Sequence, residues 1–491
     1  MKKTSVVLSI DVGTSSTRAG FFDSEGMPHG RPAQRANRLL TDSAGKAVLD
    51  ASALVQGVID AVDEVLAANV DAEVLGVGLS CFWHSLLGID AAGDATTDVL
   101  TWADRRAGRF AAAQRLEGLG RPALHARTGC PVHSSYWTAK LPWLRDTEPG
   151  IWQATSRWVS AADYMFHLFF DKARTSVSMA SGTGLFNIES MGWDQQALDA
   201  TGVAASALLP VDDRPFVGLN SNFAGRWPRL DAVPWFPAVG DGACSNIGVG
   251  GIDRQTLVLM LGTSGSMRMV WDADKAHLDD PGSWCYRVDA RRFAGGMALS
   301  EGGASAAWTR AQTGSTDNEL EALIGPMAPD AHGLTVLPYV LGARSPDWDD
   351  GRSACIAGIT AATSAAQIHR AMLESVGLSF AGLKSRLEKT MHKAKRVVVT
   401  GGALSRSGVW RQIVADCIGE DVEMSDVDEA SLRGAALLAL NRLGVGRLED
   451  FAYRCSVRVR FDPDAHAAYA LAGVRRQRLD GAIKQWEQAA L

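Results

Sequence analysis

The sequence predicts an α/β protein built as two domains. Three observations carry that prediction: a length of 491 residues, strand and helix patterns that alternate in both halves, and a strand–Gly-Thr-Ser–strand unit found once in each half. A chain this long exceeds one ordinary core and divides most naturally into two domains or more.

The first half opens on a hairpin. Val6, Leu8 and Ile10 alternate with Val7, Ser9 and Asp11, the period of two that suits a strand. Gly13, Thr14, Ser15 and Ser16 supply a turn, and "TRAGFFD" resumes the extended pattern. Residues 51–68 carry apolar positions at helical spacing, and residues 73–81 follow as a strand.

The second half repeats the opening. "LVLMLGTSGSMRMV" runs from an apolar strand through Gly262, Thr263 and Ser264 into another strand. One copy at the start of each half suggests duplication, against the competing explanation that Gly-Thr-Ser turns recur by coincidence. Residues 395–419 read as a strand, then Gly401-Gly402, then a helix with Trp410, Ile413, Val414 and Cys417 on one face. Residues 364–392 and 429–444 are further helices. Alternation of this kind in both halves is α/β architecture.

Composition excludes several classes. Hydrophobic residues at 46% and charged residues at 21% are ordinary for a globular chain, so disorder and coiled coil fit poorly. A net charge of -6 without a long Lys/Arg run gives no pull toward nucleic acid. The seven cysteines are scattered and form no C-x-x-C pair, which argues against a disulfide framework and a zinc site. The apolar run in "MKKTSVVLSID" is too short for a signal-peptide core. No apolar stretch reaches the roughly 20 residues that span a bilayer. These features lead us to expect a soluble cytoplasmic protein without a membrane or nucleic-acid partner.

The glycine turns point to phosphate. "LSIDVGTSSTRAGFF" lacks the third glycine of G-x-G-x-x-G and has no G-K-[ST] of a P-loop. A tight glycine turn still leaves amides pointing outward as an anion nest, and Thr and Ser hydroxyls add donors. Two such hairpins facing across a cleft would hold the phosphates of a nucleotide, with Asp11 beside the accompanying magnesium. Glycines at 401 and 402 would let a planar ligand approach the backbone, although a lone Gly-Gly more often marks a plain β–α turn.

With these elements placed, the chain resembles the FGGY family of carbohydrate kinases over nearly its whole length. The family's downstream pattern is met in full by Ala354, Ile356, Gly358, Ile359, Gln367, Ile368, Ala371 and Glu374. The upstream pattern is met in part by Lys140, Leu141, Trp143, Leu144 and Asp146, while Trp137 and Thr147 depart from it. The resemblance implies two ribonuclease-H-like domains of the actin-like ATPase type, residues 1–247 for the sugar and 248–491 for the nucleotide, flanking a central cleft. It implies ATP and Mg2+, with Asp11, Gly13, Thr14, Ser15, Ser16, Arg18, Gly262, Thr263 and Ser264 around the phosphates. Gly401, Gly402 and Ser405 would hold adenosine. Asp241, in "AVGDGACSNIG", would be the catalytic base and share the metal with Asp11; outside this family a G-D-G reads as a surface turn. A homodimer is compatible with all of this.

The acceptor that the resemblance implies is a sugar or sugar acid. By resemblance, Trp83, His84, Asp104 in "TWADRRA" and His133 in "TGCPVHSSYWTAKL" contact it. Those segments and "SMASGTGLFNIESMGWD" are similar to gluconate kinases. Ser134-Ser135 and Glu301 depart from them, and a negative charge at 301 would disfavour a carboxylate unless Arg105, Arg106 or Lys140 offset it. A neutral ketose or polyol such as xylulose therefore competes with gluconate. Rivals from other classes are an actin- or Hsp70-like switch that hydrolyses ATP without a sugar, and a sugar-binding regulator descended from a kinase.

Overall fold

The protein is described by a computed structural model covering residues 4–117, 122–276, 279–391, 393–453 and 455–489. Its first sheet joins β1 (Thr4–Val12), β2 (Ser16–Asp23), β3 (Pro28–Ala36), β4 (Ala72–Cys81) and β5 (Val239–Gly240) in the order β5-β4-β1-β2-β3. Strands β1, β2 and β3 form an antiparallel meander, and β4 and β5 then add in parallel. Val6 to Val12 of β1 are buried, which explains why this strand is apolar on both faces.

The second sheet contains β6 (Thr256–Leu261), β7 (Gly265–Asp272), β8 (Trp284–Arg287), β9 (Arg292–Leu299), β10 (Arg396–Thr400), β11 (Val422–Ser425) and β12 (Cys455–Val459). Its order is β8-β9-β7-β6-β10-β11-β12. Within it, β9-β7-β6-β10-β11 repeats the first sheet's plan of an antiparallel meander followed by two parallel strands. The repeat read from "GTSS" and "GTSG" is thus one topology used twice.

Each parallel step needs a crossover helix. In the first sheet it is α1 (Ala51–Ala68), whose N-terminus is capped by the Asp50 side chain accepting from the Ala53 amide at 2.7 Å. In the second it is α2 (Ala365–Thr390), which opens on a capping box of Ser364 and Gln367.

Another helix, α3 (Ala430–Arg442), follows β11 in the chain yet packs on the first sheet. The Ser9 hydroxyl donates to the Leu432 carbonyl at 2.6 Å, and Leu432, Ala435 and Ala439 share a core with Val6 and Leu8. The helix also crosses residues 241–248 so closely that a Cβ on Gly434 would collide with the Cys244 carbonyl. Arg433 donates to the carbonyls of Gly26, Gly248 and Ala452, tying both halves together. No helix of the described residues is long and apolar enough to cross a membrane.

Candidate active site

The site starts from strand ends. In the parallel register, Asp11 of β1 pairs with Ser80 of β4, and Cys81 of β4 pairs with Gly240 of β5. Asp11, Ser80 and Asp241 therefore sit together at the carboxyl edge of the sheet, where α/β folds place their ligands. The Ser80 hydroxyl donates to Asp11 at 2.7 Å. Burial pushes the Asp11 carboxyl up to about 7; the Asp241 carboxylate adds to that, while Ser80 and Arg18 oppose it. Arg18 itself is shared, with Nε 2.9 Å from Glu429 and Nη1 3.9 Å from Asp11.

Asp241 begins the short helix 241–248 directly after β5. Its Oδ1 accepts the Gly242 amide at 2.8 Å. Burial raises this carboxyl above the usual range, and the Arg268 guanidinium, with the Gly242 and Trp83 amides, pulls the other way. Two carboxylates in one buried site suit a small divalent cation whose remaining positions are taken by water and phosphate.

A cavity of about 220 Å³ opens beside Asp241. Thr14 of the first glycine turn and residues 263–266 of the second turn and β7 both line it, together with Trp83 and His84. The two hairpins thus face one space. Each closes on a glycine amide donating to a serine carbonyl, Gly13 to Ser16 and Gly262 to Ser264, both at 3.0 Å. Ser15 and Thr263 are exposed at the turns, and Ser16 is buried under the first.

The third glycine element meets the second hairpin. Gly401 has φ +107°, and a Cβ there would strike the Leu261 carbonyl that leads into the turn. From the other side, the Gly303 and Ala304 amides donate to the carbonyls of Gly262 and Thr263, both at 2.9 Å. Beyond them lies a second cavity of about 180 Å³, lined by Gly303, Ala306, Arg310, Ala403, Arg406 and Ser407. Gly402 opens the short helix 402–406, and the exposed Ser405 donates back to the Gly401 carbonyl at 3.3 Å.

Trp83 and His84 lie just past β4. The Trp83 indole donates to the Ser178 carbonyl at 2.9 Å and meets Trp284 and Tyr286 edge-on. His84 holds a left-handed backbone, φ +68°, uncommon for a residue with a side chain. Its Nδ1 lies 2.6 Å from the Gly182 carbonyl, so that nitrogen carries the proton and Nε2 keeps a lone pair. Burial lowers its pKa to about 3, which keeps the imidazole neutral.

Two expected sugar contacts stand elsewhere. Asp104, 1% exposed, is gripped by Arg106 through Nε and Nη2 at 2.7–3.1 Å and accepts the Ala47 amide, so its oxygens are committed inside the fold. His133 lies behind the cavity wall, 3.0 Å from Asp350 and 2.9 Å from the Ser135 hydroxyl, and Ser135 is the residue that reaches the cavity.

The charges also differ from expectation. Glu301 is buried against Ser379, whose hydroxyl donates to it at 3.2 Å, and it does not line the cavity. Arg105 is exposed and Arg106 is paired with Asp104. Lys140 is fully buried and donates to the carbonyls of Thr101, Ser135 and His84 at 2.6, 2.8 and 3.5 Å, under the cavity floor. The cations that do line it are Arg268 and Arg344. Arg268 had a legible signal, a charge inside the apolar strand "SMRMVW", two positions from Ser266 and so on the same face. Arg344 and Trp348 sit in an irregular loop that carries no periodic signal.

Comparison with known proteins agrees with this architecture. Residues 6–248 match the N-terminal domain of the FGGY family of carbohydrate kinases, and residues 257–442 match its C-terminal domain. A gluconokinase of Bacillus licheniformis is 28% identical over 465 residues, spanning 91% of this chain and 89% of the relative. Among solved structures, a gluconate kinase of Lactobacillus acidophilus superimposes with a TM-score of 0.89 at 23% identity, covering 98% of each chain. A xylulose kinase from the same organism gives the same score, identity and coverage. The twice-used topology and the two matched domains lead to one conclusion: this chain belongs to the FGGY family of carbohydrate kinases and is a sugar kinase.

Proposed function

We propose that the protein transfers the γ-phosphoryl group of ATP to a hydroxyl of gluconate or a closely related open-chain sugar acid, with Asp241 as the general base. One observation carries this reading: Asp241 lies on the same cavity as Thr14 of one glycine turn and Thr263–Ser264 of the other. Phosphoryl transfer needs alignment, charge stabilisation and a carboxylate to take the hydroxyl proton. The substrate oxygen attacks the γ-phosphorus, the bond to the β,γ-bridging oxygen breaks, and the hydroxyl proton passes to an Asp241 oxygen. ADP leaves with the electron pair.

The remaining roles follow from placement. The turn residues Gly13–Ser16 and Gly262–Ser264 hold phosphate oxygens, and the second cavity, beside Gly401-Gly402, holds the adenosine. Asp11 and Asp241 are the carboxylates that would hold Mg2+, which spreads the charge of the transferring group. His84 accepts a substrate hydroxyl at Nε2, and Trp83 walls the sugar. Asp104 and His133 act from behind, as supports of the 101–106 loop and of Ser135.

Gluconate is favoured by the similarity to gluconokinases and by the cationic lining. A neutral ketose is the second reading, favoured by the equal structural match to a xylulose kinase. A coupled ADP-release assay over gluconate, xylulose, ribulose, arabinitol and glycerol tests both. Gluconate-stimulated turnover is expected, and turnover with ketoses alone would overturn the acid reading. ATP hydrolysis indifferent to every sugar would overturn the kinase assignment itself.

A further inference from the structure

Two arginines on the cavity wall are short of partners. Arg268 is 6% exposed and forms no ion pair among the described residues; its Nε and Nη2 are buried without a hydrogen-bond acceptor. Arg344 donates through Nη2 to the Leu299 carbonyl, while its Nε is likewise buried and unpartnered. Unsatisfied N–H groups on a buried guanidinium are costly, and a fold keeps them where a ligand completes them.

The lining charges do not balance. Besides the two arginines, Asp241 is the one acidic side chain facing the cavity, and His84 is neutral. An excess of one positive charge is left for a ligand. The two arginines are not equivalent. Arg268 faces the base: Asp241 is its main electrostatic partner, and its Nη1 occupies the space that a Cβ on Gly242 would need. Arg344 stands on the aromatic wall, its guanidinium 4.7 Å from the Trp102 ring, near Tyr136 and Tyr286. The tie to Leu299 and the ring beneath it orient the fork before any ligand arrives. A planar, preoriented guanidinium with a free edge matches a carboxylate.

We propose that Arg344 is the carboxylate-recognition residue of this cavity and selects an anionic sugar acid over neutral sugars of the same length. This rests on the reading of the cavity as the sugar site. Arg268 supplies the second positive charge and stays beside the base. Glu301, buried outside the cavity lining, favours the charged form of Arg344 electrostatically.

The test compares wild-type protein with R344Q and R344K on gluconate, with sorbitol, a neutral polyol with the same six-carbon chain, as competitor. In R344Q, kcat/KM for gluconate is expected to fall about 10- to 100-fold, the range of a lost charge-assisted hydrogen bond. Inhibition of gluconate turnover by sorbitol and the KM for ATP should stay within about threefold of wild type. R344K, which keeps the charge without the fork, should retain an intermediate gluconate rate and shows that the position tolerates substitution. Equal losses of gluconate turnover and of sorbitol inhibition, or a raised KM for ATP with the gluconate preference intact, would overturn the assignment; the latter would place Arg344 on the nucleotide phosphates. Undiminished gluconate turnover in R344Q would overturn the role of Arg344 alone, whereas wild-type protein that ignores every sugar acid would overturn the acid reading beneath it.

Discussion

The α-carbon of Gly401 sits against the carbonyl oxygen of Leu261, so close that even a methyl group cannot be accommodated between them. Leu261 ends the strand that enters the Gly262–Ser264 turn, and Gly401 begins the connection to the helix 402–406. This contact sets how the Gly262–Ser264 turn stands relative to the second cavity. The positive φ of Gly401 adds a conformational demand that only glycine meets without strain.

Gly401→Ala is therefore expected to raise the KM for ATP at least about tenfold and to lower Tm by several degrees, since a forced clash in a packed site costs about 1–3 kcal/mol. Sugar binding measured by calorimetry should change little. Unchanged ATP kinetics would show that the contact does not position the nucleotide.

Asp104→Ala separates the two roles available to that residue. A sugar contact would appear as a raised KM in a stable protein. The buried pair with Arg106 predicts the reverse, a stability loss of about 2–4 kcal/mol with a nearly unchanged KM in the folded fraction. Thermal denaturation beside steady-state kinetics distinguishes them.

These two positions show how much was legible. The glycine turns and the duplicated strands are local patterns, readable because a turn or a strand end is encoded within a few residues, whereas Asp241 stood out only through the family resemblance, since its G-D-G alone reads as a surface turn. Asp104 and His133 were equally visible as motifs, but motifs do not say which way a side chain points. The Asp104 carboxylate turns inward to Arg106, two residues away, and His133 turns to Asp350, more than 200 residues on. Arg268 and Arg344 reach the cavity only because β7 and a distant loop meet there. The packing of α3 on the first sheet is likewise a long-range event; the sequence marked residues 429–444 as a helix without naming its partner.

His84 links the site to acid stability. The folded protein keeps this imidazole neutral down to about pH 3, whereas the unfolded chain takes up a proton near 6.5. Its contribution is fully present above 6.5 and is lost progressively as pH falls toward 3. Each unit in that window costs about 1.4 kcal/mol, so about 2 kcal/mol is gone by pH 5. His84→Gln should accordingly lose less stability than wild type between pH 7 and 5 in denaturant titrations. Parallel losses in the two proteins would contradict a buried neutral histidine.

The assignment of Asp241 as the base is tested most directly by Asp241→Asn. The substitution keeps shape and removes the proton acceptor. Sugar-dependent ADP release should fall at least about 10²- to 10⁴-fold, the usual contribution of a general base, while binding of metal-free ATP measured by calorimetry stays within a few-fold of wild type. Turnover equal to wild type in this variant would contradict the account.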